Sequence, residues 1–189
     1  LSPKPLRGNH ELKHVDIVLA RDAGVFRHSN PLDGMRDGGL LVIQSDRSAE
    51  EFWNDLPQTA QWAIRSRGIR VCTLDGAGIA RETADETAAR YRMQGMAFMG
   101  AFFNAAGLLG RHGLDQDQLF ERLRAHLATP EGVADAALLE DELHACRRGF
   151  DEVRALADDV LSGVFTGDLA HALERAGAFC RVVGLGTEF

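Results

Sequence analysis

Residues 40–74 read LLVIQSDRSAEEFWNDLPQTAQWAIRSRGIRVCTL, and the change of texture along this stretch decides the fold. At either end, 40–44 and 69–74 are short runs rich in Leu, Val and Ile without strict alternation. That is the pattern of a strand covered on both faces by helices. Between them Ser48 and Glu51 stand three apart, as in a capping box that satisfies the orphan N–H groups of a helix start. Pro57 interrupts the helix that follows, and a second helix resumes with Ala60, Ala63 and Ile64 on one face. Strand, helices and strand in this order predict an α/β domain with a mostly parallel sheet.

Working outward, VDIVLA at 15–20 is a third run of the same kind. After Leu74 nearly everything reads helical, with helix starts expected at Asp115 and at Thr129 and Pro130. The most continuously apolar run, RMQGMAFMGAFFNAAGLLG at 92–110, is broken by Gln94 and Asn104. A bilayer helix needs about 20 mostly apolar residues, so this run reads instead as a buried helix of a globular domain. Its small residues predict close approach of neighbouring helices. Further on, Leu139, Leu143, Cys146, Phe150, Val153, Ala157 and Val160 recur at spacings of four and three, a seam on one long helix. The seam packs either on the chain's own elements or, as an interface of Leu139, Leu143, Cys146, Phe150, Val153 and Val160, on another subunit.

The chain has 189 residues, enough for one domain with an appendage. Hydrophobic residues make up 45% and charged ones 26%, which excludes global disorder. A formal net charge of -7 without a basic run argues against nucleic acid. Cys72, Cys146 and Cys180 are far apart, with no C-x-x-C pair to hold zinc or an iron–sulfur cluster. Reduced thiols and a first segment without an apolar leader-like run give a cytoplasmic expectation.

Three patterns suggest chemistry. Asp75, Gly76 and Gly78 form a Gly-x-Gly turn after a strand, although Arg81 stands where a dinucleotide fold needs a third glycine. A nucleotide site and a plain structural turn are both open there. Ser45 and Asp46 follow a strand, where α/β folds place ligands, but no G-x-S-x-G elbow surrounds Ser45. His10 and His14 would share a helical face, and Glu140–His144 has zinc-like letters in the wrong order; solvated helix positions explain both pairs better. No catalytic set is self-sufficient, and no metal site is expected.

Several stretches taken in order resemble the gamma subunit or domain of the 2-oxoacid:ferredoxin oxidoreductases, including those for pyruvate, ketoisovalerate and indolepyruvate. They are Ser2 and Pro3 with Pro5 and Leu6, then His14–Ala20, then Met35–Gln44 around its paired glycines. Glu50 and Glu51 lead to Leu56 and Pro57, followed by Ile64 and Gly68–Val71. Asp75 with Ile79, Ala80 and Glu82 comes next, then Met99–Phe102, Gly107–Leu109 and Arg148–Phe150. The resemblance covers most of 1–155. It implies a gamma-type domain over 1–162, a Rossmann-like three-layer sandwich that becomes helical in its C-terminal part; 163–189 forms a C-terminal extension without a counterpart in the family. It also implies a unit without cofactors of its own. In the family complex, partner subunits would carry thiamine diphosphate and iron–sulfur clusters, and acyl transfer to coenzyme A would complete the reaction. Relatives begin with a strand and a glycine-rich turn upstream of the Ser-Pro segment, so a first βα unit is expected to be missing here. They also have an asparagine before the methionine, glycine, alanine helix, where this chain offers only Gln94. The alternatives are a stand-alone nucleotide- or coenzyme A-binding domain, and a structural interaction module.

Overall fold

Strand β2 runs from Met35 to Gln44, and the sheet forms around it. In the computed structural model, which describes residues 14–128 and 136–162, β1 (Val15–Ala20) and β3 (Arg70–Leu74) flank β2, both parallel to it. A two-residue strand β4 (Arg154–Ala155) adds antiparallel to β3, giving the order β1-β2-β3-β4. The expectations placed on Ser2, Pro3, Pro5, Leu6, His10, Thr129, Pro130, Cys180 and the 163–189 extension lie outside the described residues.

Helices α1 (Ala49–Asp55) and α2 (Gln58–Ser66) follow β2. The capping box is in place: the Glu51 N–H donates to Ser48 Oγ at 3.2 Å, and the Ser48 N–H donates to Glu51 Oε2 at 3.0 Å. Those bonds hold the Glu51 carboxyl below the usual carboxylate range, the backbone bond with Ser48 contributing most. Pro57 separates the two helices, and Ala60 and Ile64 are buried beneath α2. With Phe52, Trp53, Leu41, Ile43 and Val71 they form one core layer.

The opposite face of the sheet carries Leu40, Val42, Cys72 and Leu74. Against it pack α3 (Gly76–Thr83), the long α4 (Thr87–Ala105) and α7 (Ala136–Glu152). Two shorter helices, α5 (Leu108–His112) and α6 (Gln116–Leu127), connect α4 to the later chain, and α6 opens on the expected Asp115 cap. The domain is therefore an α/β sandwich of helices, a mostly parallel sheet and helices. Met93, Met96, Ala97, Phe98, Gly100 and Ala101 are buried along α4, as a helix inside a globular core requires. Among the described residues no helix is long and apolar enough to cross a membrane.

Helices α4 and α7 make the most extensive helix contact in the domain. Their crossing is backbone on backbone: a Cβ added at Gly100 would lie 1.8 Å from the Cys146 carbonyl oxygen. One added at Gly149 would lie 1.9 Å from the Ala97 carbonyl oxygen. Each helix offers a glycine where the other's main chain arrives, and no other residue type fits there.

The seam does not continue as one helix. Helix α7 stops at Glu152, β4 follows, and α8 (Asp158–Ser162) starts again on Asp158 and Asp159. Asp151 and Glu152 oppose the negative end of the helix dipole, and the backbone at 154–156 is taken up by pairing with β3. Leu139, Leu143 and Cys146 are buried in the chain's own core, with Phe150 and Val153 packed half-buried against it. Val160 packs on the opposite face of the sheet. Those six residues thus form no continuous outward stripe, and their main contacts are internal.

Burial pushes the Cys146 thiol up to about 12 and raises that of Cys72 as well. Below its unfolded value such a thiol is protonated in both states and its contribution is complete; between the unfolded and folded values it is protonated when folded and ionised when unfolded. The contribution is then lost as pH rises towards the folded value. Stability is expected to fall by up to about 1.4 kcal/mol per pH unit for each such thiol above about pH 9. In a Cys180→Ser variant at pH 8, a thiol reagent is expected to label slowly in the folded state and to titrate both remaining cysteines in urea. Rapid labelling without denaturant would contradict the burial.

Candidate functional site

The carboxyl ends of β2 and β3 diverge. The chain leaves β2 towards α1 on one face of the sheet and leaves β3 towards α3 on the other. Adjacent strands whose connections part in this way open a crevice, the usual ligand position in α/β sheets. Ser45, Asp46 and Asp75 meet there on a cleft of about 190 Å³, together with Arg47, Glu152 and Arg154. Ser45 and Asp46 also border a larger cleft of about 410 Å³, whose far wall includes Phe26, Arg27, Phe52 and Pro57.

Ser45 extends the sheet ladder, its N–H donating to the Leu74 carbonyl at 3.0 Å. Its hydroxyl oxygen accepts from the Arg47 N–H at 3.1 Å, closing a tight turn. Among the described residues, neither cleft is lined by a histidine or cysteine; the titratable groups beside Ser45 are carboxylates and arginines. Arg47 is tied to Asp55, and Glu152 is held by Arg148 at 2.6 Å. Arg148 also reaches Glu82 on α3 at 2.5 Å, joining α7 to α3.

Gly76 and Gly78 do not line either cleft; they are buried, and each is glycine for a packing reason. A Cβ at Gly76 would stand 2.9 Å from the Phe98 ring, and one at Gly78 would stand 2.1 Å from Asp75 Oδ2. The N–H groups that a phosphate loop would aim at a ligand are already used. The Gly78 N–H donates to Asp75 Oδ1 at 2.8 Å, and the Ala77 N–H donates to Gln44 Oε1 at 2.9 Å. A phosphate would have to displace both acceptors and approach the Asp75 carboxylate. The turn is a capped helix start.

Two glutamines that sequence reasoning gave no role complete this end of the sheet. Gln44 Nε2 donates to Asp75 Oδ1 at 2.9 Å. Gln94 Nε2 donates to the Arg21 carbonyl at 3.0 Å and to Gln44 Oε1 at 3.3 Å. This network ties the ends of β1 and β2 and the starts of α3 to the middle of α4. The available signal was a polar residue closing an apolar strand run, and an amide interrupting the apolar run of α4.

A second overlooked pair lies deeper. Glu142 on α7 is only 1% exposed and pairs with Arg92 of α4, while its Oε2 has no hydrogen-bond partner. Its signal was its place on the seam, three residues after Leu139 and four before Cys146. Of the histidine candidates, His10 lies outside the described residues. His14 precedes β1 with φ 68°, outside any helix, so it shares no helical face with another residue. Glu140 is engaged by Arg124, and His144 is exposed. Among the described residues no three His, Cys, Asp or Glu side chains are grouped to hold a metal ion.

The class defined by this architecture is an open-sheet α/β domain whose strand-end crevice is braced by its own side chains. A family model described as pyruvate ferredoxin/flavodoxin oxidoreductase matches residues 1–152, and the chain belongs to that family as a gamma-type domain. It is similar to subunit PORC of pyruvate oxidoreductase from Thermotoga maritima, with a TM-score of 0.50 and 16% identity, covering 79% of this chain and 70% of that one. At that identity the likeness speaks for the fold. The chain is 21% identical over 185 residues to the mitochondrial NADP(+)-linked pyruvate dehydrogenase of Euglena gracilis, covering 98% of this chain and 9% of that protein. It is 20% identical over 176 residues to the pyruvate-flavodoxin oxidoreductase of Rhodospirillum rubrum, covering 93% of this chain and 14% of that protein. The chain thus spans only a small part of the length of these curated relatives.

Proposed function

We propose that this chain is the gamma-type unit of a 2-oxoacid:acceptor oxidoreductase, working with partner subunits or domains that carry the redox and thiamine chemistry. The family match over 1–152 is the observation that carries this reading. The relatives are named for pyruvate, which supports a 2-oxoacid as the substrate class of the whole assembly. Oxidative decarboxylation to an acyl-coenzyme A, with electrons passed to ferredoxin or flavodoxin, is the reaction proposed for that assembly.

The described residues offer no ligand set for an iron–sulfur cluster. No metal-ligating trio is grouped among them, and Cys72 and Cys146 are buried in the apolar core. In keeping with the family reading, thiamine diphosphate and the clusters are assigned to the partners, and coenzyme A is proposed only for the complete assembly. This chain's contribution is architectural. Its braced strand ends and glycine-crossed helices form a rigid body on which the partners are placed. Cytoplasmic location belongs to the same proposal.

The test is 2-oxoacid-dependent dye reduction, measured on the purified chain and on the chain assembled with the thiamine- and cluster-bearing polypeptides. Activity is expected only in the assembly. Turnover by the chain alone, or failure to associate with such polypeptides, would refute the reading.

A further inference from the structure

Two hydroxyls at the carboxyl ends of β2 and β3 have hydrogen-bonding capacity that the fold leaves unused. Thr73 is 7% exposed and lines the cleft of about 190 Å³, and its hydroxyl has no hydrogen-bond partner among the described residues. Ser45 is 8% exposed; its oxygen accepts from the Arg47 N–H, and its own O–H donates to no described residue. Buried hydroxyls are costly to leave unpaired, so two of them beside a cleft point to a ligand. The surrounding charges are mostly spent within the fold. Arg47 is tied to Asp55 and Glu152 to Arg148, and Asp75 accepts from Gln44 and from the Gly78 N–H. Three charges are not: Asp46, which borders both clefts, Arg27 in the larger and Arg154 in the smaller. Among the described residues none of these three has an ion pair or a side-chain hydrogen bond. Arg154 is the cross-strand partner of Thr73, and such partners share a face of the sheet. The chain enters β1 and leaves α8 at the other end of the sheet, where Leu161 shares a cleft with Gly68 and Arg70.

We propose that the two clefts together bind an acidic α-amino acid, of the glutamate and aspartate class. Its ammonium pairs with Asp46. One carboxylate meets Arg154 and the hydroxyls of Thr73 and Ser45, the other meets Arg27, and the methylene chain lies along Phe26. Two uncompensated cations and one anion thereby face two carboxylates and one ammonium. A neutral amino acid leaves one arginine unanswered, and a 2-oxo dicarboxylate leaves Asp46 without a cation. The larger cleft, about 410 Å³, lies within the range of about 300–1,000 Å³ usual for small-molecule sites. This site is additional to the gamma-type reading and does not rest on it.

Calorimetric titration of the full chain with L-glutamate and L-aspartate tests it. One of the two is expected to bind at a single site. L-Glutamine and 2-oxoglutarate, which lack one carboxylate and the ammonium respectively, should bind at least tenfold more weakly. Asp46→Asn, Arg27→Gln and Arg154→Gln change exposed side chains, so the melting temperature should hold while affinity for the acidic amino acid falls at least tenfold in each. Arg36→Gln, at the opposite end of β2 and paired with Asp16, should leave binding unchanged. No saturable heat with either amino acid overturns the proposal, and so does 2-oxoglutarate bound as tightly as glutamate. Binding undiminished by Asp46→Asn and Arg154→Gln places the amino acid elsewhere and overturns it as well.

Discussion

Replacing Gly100 by alanine is expected to destabilise the domain by about 2 kcal/mol or more, although alanine is the better helix former. The new methyl would sit 1.8 Å from the Cys146 carbonyl oxygen and 2.8 Å from the Phe150 nitrogen. Those atoms are helical backbone and cannot rotate aside as a side chain would, so α4 and α7 must separate. Overpacking of this kind costs about 1–3 kcal/mol and sometimes more, against about 1 kcal/mol gained in helix propensity. Gly149→Ala should behave alike, because its methyl meets the Ala97 carbonyl from the other helix. The double variant should lose less than the sum, since the first substitution has already opened the crossing. Gly110→Ala is the internal control: it lies in α5 with nothing within 4 Å of the added carbon, and should be neutral or slightly stabilising. Urea unfolding midpoints check all four. A wild-type midpoint for Gly100→Ala would mean that the helices do not cross at the glycines.

Substitutions in the Arg92–Glu142 pair are expected to have unequal effects. Arg92→Met strands a carboxylate that is 1% exposed and already has one unpartnered oxygen. Removing one member of a fully buried pair costs about 3–5 kcal/mol; Arg92 is half-exposed, so a loss of about 2 kcal/mol is expected. Glu142→Met removes the buried charge itself and releases Arg92 into water. That change should be neutral or stabilising by about 1–2 kcal/mol, since burying the carboxylate is poorly repaid by one partner. Equal losses in the two single variants, read from urea unfolding at pH 7, would show that the pair is a net source of stability.

Much of the sheet was legible from local texture. The runs at 40–44 and 69–74 and the Ser48–Glu51 box carry their own start and stop signals, and they appear where those signals fall. Strand β2 begins earlier, at Met35, because pairing with β1 recruits residues whose glycines carry no strand signal. The seam shows the opposite failure. Its spacing of four and three persists past Glu152, but pairing of 154–155 with Cys72 and Thr73 overrides the helical period. At the candidate site, Ser45, Asp46 and Asp75 do gather on one cleft, since each follows an adjacent parallel strand. Gly76 and Gly78 leave a ligand turn and a structural turn both open in the sequence, because glycine marks close approach without marking to what. Phe98 and Asp75 are what approaches.

The smallest strand has a consequence for how the chain comes together. Strand β4 pairs with β3, yet α3 to α7 lie between them in the chain. Closing so long a loop costs entropy before any contact rewards it, so this pairing belongs late in folding. On the ribosome, β3 therefore emerges well before the residues that cap its far edge. The growing chain carries an uncovered β3 edge until Arg154 and Ala155 appear, and that interval is when a chaperone has most to protect.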